Sequence, residues 1–149
     1  MKYQFDSRVV TLLQKSRWSN FRKKDITHER NILISEGYAV SSAASIFIKN
    51  FSELKISHLA YSGEGMTESY FSVALATDTI FPNRVKKDYE RRCEEELCPI
   101  GVGFSEHLVY MISPSGKIFG GYDDLFCKIG DDTEGAFLNM FFTHKFDDF

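Results

Sequence analysis

The side chains of this 149-residue chain that could do chemistry are four histidines, three cysteines and several runs of carboxylates. His28, His58, His107 and His144 never stand three or four residues apart, and no His-Glu-x-x-His pattern occurs. Zinc sites on helices need imidazoles on one face at that spacing, so these histidines do not read as a metal site. Cys93 and Cys98 form a lone Cys-x4-Cys pair without the second pair that would complete four ligands. An odd number of cysteines, in a chain that opens with no secretion signal, reads as free thiols. Cys93 falls on an apolar helical stripe and Cys127 follows Phe126, where a thiol serves as a small hydrophobe. Gly63-Glu64-Gly65 and Gly101-Val102-Gly103 lack the third glycine of a dinucleotide loop. Neither a phosphate-binding Gly-x-x-x-x-Gly-Lys nor a Gly-x-Ser-x-Gly nucleophile turn is present. No metal, no cofactor and no catalytic residue is expected.

The carboxylates remain. Glu94-Glu95-Glu96, Asp123-Asp124, Asp131-Asp132 and Asp147-Asp148 could in principle supply an acid/base pair. Adjacent acids on a helix point to different sides, however, and acids at a first turn offset the helix dipole. Asp123, Asp131 and Asp132 are capping candidates for that reason. The acids have a second use as a charged face. Net charge is only −3, but residues 1–60 hold ten basic against five acidic side chains, and residues 61–149 hold eight against sixteen. Such a second half does not suit nucleic acid, which needs clustered Lys and Arg. It suits a basic protein partner. Tyr122, Asp123 and Asp124, with Asp131, Asp132 and Glu134, stand at expected loop-to-helix junctions and are the candidate partner-binding residues. Tyr122 supplies the kind of aromatic anchor that interfaces favour, and the acids would steer association. Helix capping and a solvated surface are the competing use of the same side chains.

The elements that must hold these residues are organised around a stretch near the middle of the chain. Leu108 to Ile112 is apolar throughout, which suits a strand buried on both faces. Ser113-Pro114-Ser115-Gly116 is a turn, and Lys117 to Gly121 runs back out, with Gly120-Gly121 expected to end the pairing. Pro99-Ile100-Gly101 reads as the start of another strand, with an edge position open to it because Pro cannot donate to a ladder. Before this centre, Asp6 or Ser7 can cap a first helix with Val9, Val10, Leu12 and Leu13, and Trp18 is a core anchor. Asp25 or Thr27 starts a second helix that Gly37 stops, and Ser41 caps a third with Ala44, Phe47, Ile48 and Phe51 on one stripe. Strands are expected over Lys55 to Tyr61 and Ser69 to Ala76, with a turn at Ser62-Gly63-Glu64-Gly65. Pro82 ends that unit, and Asn83 can cap a charged helix whose stripe is Val85, Tyr89, Cys93 and Leu97. Asp123 is expected to cap a helical turn carrying Leu125 and Phe126, broken by Gly130. Asp131 or Asp132 caps a last helix with Phe137, Leu138, Phe141 and Phe142. The sum is one α+β domain over residues 1–149, a mainly antiparallel central sheet packed against several helices. With 43% hydrophobic residues and no run of about 20 apolar ones, the chain reads as a cytoplasmic globular protein without a membrane partner.

Several of these segments together resemble the SUKH superfamily of bacterial immunity proteins, in particular its third group. They are Leu12 to Arg22 around Trp18, Glu36-Gly37-Tyr38, the helix Ser42 to Phe51 with Phe51-Ser52-Glu53-Leu54, Cys98-Pro99-Ile100-Gly101 and the hairpin Val109 to Phe119. The likeness spans about Ser7 to Phe142. Ser16-Arg17 stands where the family usually has a small residue and Gly, and Ser52-Glu53 where it has glycines. The resemblance implies a SUKH-like fold, no catalysis, and an antitoxin that binds and neutralises a cognate polymorphic toxin domain in the cytoplasm. A nuclease is the toxin it favours. A regulatory scaffold of the same fold and, from another class, a small hydrolase or nuclease using scattered His and Asp are the alternatives.

Overall fold

In a computed structural model, which describes residues 3–60 and 64–149, the strands form one antiparallel sheet in sequence order, each paired with the next. They are β1 Lys55–Leu59, β2 Met66–Tyr70, β3 Cys98–Gly103, β4 Leu108–Ile112, β5 Ile118–Tyr122, β6 Leu125–Gly130 and β7 Asp147–Asp148. Every residue of β3 and β4 is buried, because helices cover both faces of the sheet centre. The helices are α1 Ser7–Lys15, α2 Thr27–Ser35, α3 Ser42–Phe51, α4 Val73–Thr79, α5 Pro82–Arg84, α6 Glu90–Cys93 and α7 Thr133–Leu138. A π-helical turn, Val85–Tyr89, joins α5 to α6, and a second, Asn139–Thr143, continues α7. The architecture is the α+β domain that the pattern of elements implies.

Local chemistry explains the helix ends. Asp6 accepts from the Arg8 amide at the start of α1, and Ser41 accepts from Ala44 at the start of α3. Gly37, at φ 90°, lets the chain leave α2 by the left-handed route, with the Tyr38 amide returning to the Leu33 carbonyl. The stripe Ala44, Phe47, Ile48 and Phe51 is buried. Phe51 stacks on Trp18 at 5.7 Å and meets Phe47 and Phe137 at 5.0 Å, so rings lock α3 to the exit of α1 and to α7. Phe71 extends the cluster from Phe137 to Tyr110 on β4. On the opposite face Tyr89 packs over Gly121 and stacks on Phe126 at 4.7 Å.

Several expectations need correction. The strand expected over Ser69 to Ala76 stops at Tyr70, because Ser72 accepts from the Leu75 amide and caps α4. Pro82 opens α5 at its first position, where a missing N–H costs nothing, and Asn83 caps nothing. The charged helix ends when Glu94 turns left-handed, leaving Leu97 beyond it. Pro99 lies in an interior strand, tolerated at a bulge between Pro99 and Gly101. Gly120 and Gly121 do not end the pairing; β5 runs through both, bonded to β4 and β6. Asp123 caps no helix, since Leu125 to Gly130 is β6, in which Leu125, Cys127 and Ile129 alternate with Phe126 and Lys128. The turn expected at Ser62-Gly63-Glu64-Gly65 lies in part outside the described residues.

Candidate partner-binding site

Tyr122 and Leu125 face each other as the last pair of β5 and β6, and Asp123-Asp124 make the two-residue turn between them. Asp123 sits at φ 50°, a sign that such tight hairpin loops demand and that Asp tolerates better than most residues. The Tyr89 hydroxyl donates to the Asp123 carbonyl at 2.5 Å and pins the turn to the helical segment behind it. Tyr122 and Leu125 are 47% and 49% exposed, the largest apolar surfaces of this hairpin. By alternation they project to the same side of the sheet as Leu108 and Cys127.

The loop between β3 and β4 comes up beside this turn. Phe104, Ser105 and Glu106 lie at φ 53°, 62° and 66°, three successive left-handed residues, none of them glycine. Such a conformation costs about 1–2 kcal/mol per residue and persists only where the surroundings over-determine it. Here the ring of Phe104 packs edge-on to His58 at 6.0 Å and to Phe146 at 6.3 Å. The next residue, His107, lies 5.6 Å from the Tyr122 ring.

Between loop and hairpin opens a cavity of about 410 Å³, with Leu108 and Cys127 in its lining and Phe104, Tyr122, Leu125 and Phe146 around them. Asp148 also borders it. Beyond Tyr122 a second hollow of about 350 Å³ touches Phe81, Arg84, Glu106 and Asp123. Phe81 is 80% exposed. Arg84 is held by Asp88 at 3.0 Å, and Asp124 and Asp147 are exposed nearby along the chain. The end of the sheet thus presents an apolar hollow lined by one acid, Asp148, beside a second hollow lined by Glu106 and Asp123. Cys127 offers no nucleophile there, since burial raises its thiol to about 11.

Of the six residues singled out from the sequence, Tyr122, Asp123 and Asp124 stand together at this end. Asp131, Asp132 and Glu134 stand at the other end of β6, roughly 20 Å away at the rise of a strand. Asp132 accepts from the Gly135 amide at 2.7 Å and caps α7, while Lys128 binds Asp131 at 2.8 Å and holds its carboxyl below the usual range. The structure therefore divides the acids into two groups. Sequence reasoning missed Phe81, Phe104, Glu106, Leu125, Phe146 and Asp148. The alternation of Leu125, Cys127 and Ile129 was the available signal for Leu125.

One buried cluster has the residue types of a hydrolase. His58 meets the Leu59 carbonyl through Nδ1 at 2.9 Å and Ser69 Oγ through Nε2 at 2.7 Å, and Ser69 meets the Tyr110 hydroxyl at 2.7 Å. A carbonyl only accepts, so Nδ1 carries the proton, Ser69 donates to Nε2 and Tyr110 donates to Ser69. Burial keeps the His58 pKa below its ordinary value. All three side chains are essentially inaccessible, so the chain of bonds straps β1, β2 and β4 together and offers no substrate a path. Among the described residues no three His, Cys, Asp or Glu side chains group to hold a metal ion, and no helix is long and apolar enough to cross a membrane.

Against known proteins, the family model described as SUKH-3 immunity protein matches residues 5–142. No curated protein and no solved structure matches the chain.

Proposed function

This chain belongs to the SUKH-3 immunity protein family, and on that premise we propose that it binds a cognate toxin domain, a nuclease, and blocks it in the cytoplasm of the producing cell. The immunity role follows from the family; the kind of toxin is read from charge. Nuclease sites are basic because they hold phosphate, and an inhibitor that covers one gains by presenting carboxylates. The observation that carries this reading is the apolar hollow at the end of the sheet, lined by Asp148 and walled by Tyr122 and Leu125 on either side of the Asp123-Asp124 turn, with Glu106 and Asp123 in the hollow next to it. Inhibition by occlusion needs no catalysis, and the His58–Ser69–Tyr110 cluster is sealed from substrate. Asp131, Asp132 and Glu134 contribute at most a distant charge.

The test is co-expression with the toxin domain encoded beside this chain, scored by survival and by nucleic-acid integrity in the cells. Survival with intact nucleic acid is the expected result. Death despite folded protein would overturn the immunity reading. A toxin that leaves DNA and RNA intact in unprotected cells would overturn the nuclease assignment alone.

A further inference from the structure

We propose that the hollow between Phe104 and Leu125 is a socket for a single apolar or aromatic side chain carried on a basic segment of the toxin domain. This rests on the immunity reading above and assigns the contact it would use. The cavity, about 410 Å³, falls within the roughly 300–1,000 Å³ of small-ligand pockets, so it admits one large side chain rather than a helix. Its surroundings are mostly apolar: Phe104, Leu108, Tyr122, Leu125 and Phe146. Tyr122 and Leu125 still expose about half their surface, which a partner would remove from water.

Charge decides what kind of segment carries the anchor. Asp148 lines the hollow, the Asp123-Asp124 turn joins its Tyr122 and Leu125 walls, and Glu106 and Asp123 line the neighbouring hollow, whose cation, Arg84, is already paired with Asp88. Lys145, exposed beside Phe146, is outnumbered. A basic segment is attracted from a distance and an acidic one repelled. A second copy docking through the same patch would bring these acids against their own copies, since a two-fold interface is self-complementary. The strained Phe104–Glu106 loop also lies here, giving an aromatic wall to the hollow and an acid to its neighbour, with His107 lining both.

The experiment uses the full chain and the neighbouring toxin domain, inactivated at its own active site, in a binding assay with kinetics at two ionic strengths. Leu125→Asp should weaken binding by about 30-fold or more, the size of an interface hot spot. If that variant fails to fold by circular dichroism, Tyr122→Ala, which truncates a half-exposed ring, carries the same expectation. Asp124→Lys should slow association at low salt, with the difference shrinking at high salt. Phe21→Asp, an 87%-exposed ring on the basic loop after α1, should change nothing. Folded socket variants that bind within threefold of the parent overturn the socket and leave the immunity reading standing. Loss of binding confined to Phe21→Asp moves the contact to the basic loop and also overturns it. A parent that sediments as a dimer, turned monomeric by Leu125→Asp, assigns the hollow to a second copy and overturns the proposal. A parent that does not bind the toxin domain overturns both.

Discussion

Replacing Gly121 by Ala tests the contact that holds the hairpin in place. A Cβ at Gly121 would lie 2.5 Å from Tyr89 Cε2, 2.7 Å from its Cζ and 2.9 Å from Met111 Cε. Carbon atoms prefer about 3.5–4.0 Å, so the ring must shift by roughly 1 Å. Tyr89 has little room to do so. It is fully buried, stacked on Phe126 at 4.7 Å and tied through its hydroxyl to the Asp123 carbonyl. Overpacking of this kind costs about 1–3 kcal/mol, and losing the hydroxyl bond adds about 0.5–1.5. Alanine recovers about 0.5–1 kcal/mol over glycine in a strand. The net loss should be about 0.5–4 kcal/mol, or roughly 1–16 °C in Tm at this chain length.

Urea unfolding of four proteins checks it: the parent, Gly121→Ala, Tyr89→Ala and the double variant. Tyr89→Ala alone should cost about 3–5 kcal/mol by opening a cavity. In that background the added methyl meets no ring, so Gly121→Ala should be neutral or slightly stabilising. A cost below about 0.5 kcal/mol in the parent, or the same cost in both backgrounds, would show that Tyr89 does not pack on this glycine. Tyr89→Phe then isolates the hydroxyl. It should cost only about 0.5–1.5 kcal/mol while freeing the Asp123-Asp124 turn that borders the socket.

Phe119 is buried and stacked on Phe126 at 5.2 Å, so Phe119→Ala should cost about 3–5 kcal/mol in denaturant unfolding; less than about 1 would mean a poorly packed ring. Arg17 holds φ 69° where the chain leaves α1, a conformation that glycine adopts without strain; Arg17→Gly should raise stability by up to about 1 kcal/mol, read as a higher urea midpoint. His58 is held neutral by burial, and its folded pKa lies below the unfolded value of about 6.5. The unfolded chain therefore takes up the proton first as pH falls. Stability drops below about pH 6.5 with a slope of at most about 1.4 kcal/mol per pH unit for this group, until the folded pKa is passed. His58→Phe should remove that part of the slope, and an unchanged acid limb would assign it elsewhere.

What could be read along the chain was what neighbouring residues decide by themselves. Asp6 and Ser41 cap helices by bonding amides two or three residues away, and Ser113 to Gly116 turns because Pro114 fixes φ and Gly116 takes a φ of 91° that a side chain would strain. The identity of β6 is not of that kind. Asp123-Asp124 before an apolar pair serves equally as a helix cap or as a hairpin turn, because Asp bonds nearby amides in either setting. The choice depends on whether β5 survives Gly120 and Gly121. Gly121 is favoured there by Tyr89, a ring more than 30 positions upstream that occupies the space of its missing side chain. No local window contains that information. The positive φ at Phe104, Ser105 and Glu106 was hidden for the same reason, since none of these residue types announces it.

Register carries this difference into function. With a two-residue turn at Asp123-Asp124, Leu125 pairs with Tyr122 and Cys127 with Gly120, so Leu125 and Cys127 line the hollow and Phe126 faces Tyr89. A slip of one residue would exchange the two faces of β6. Phe126 and Lys128 would then turn toward the hollow, placing an ammonium among its apolar walls, and Tyr89 would lose its stacking partner. The Asp123-Asp124 turn thus has two effects. Its length keeps the socket apolar, and its side chains supply two acids. A deletion within it should damage the fold and the toxin contact together, whereas Asp124→Lys changes only the charge. Comparing those two variants separates the structural effect of the turn from its electrostatic effect.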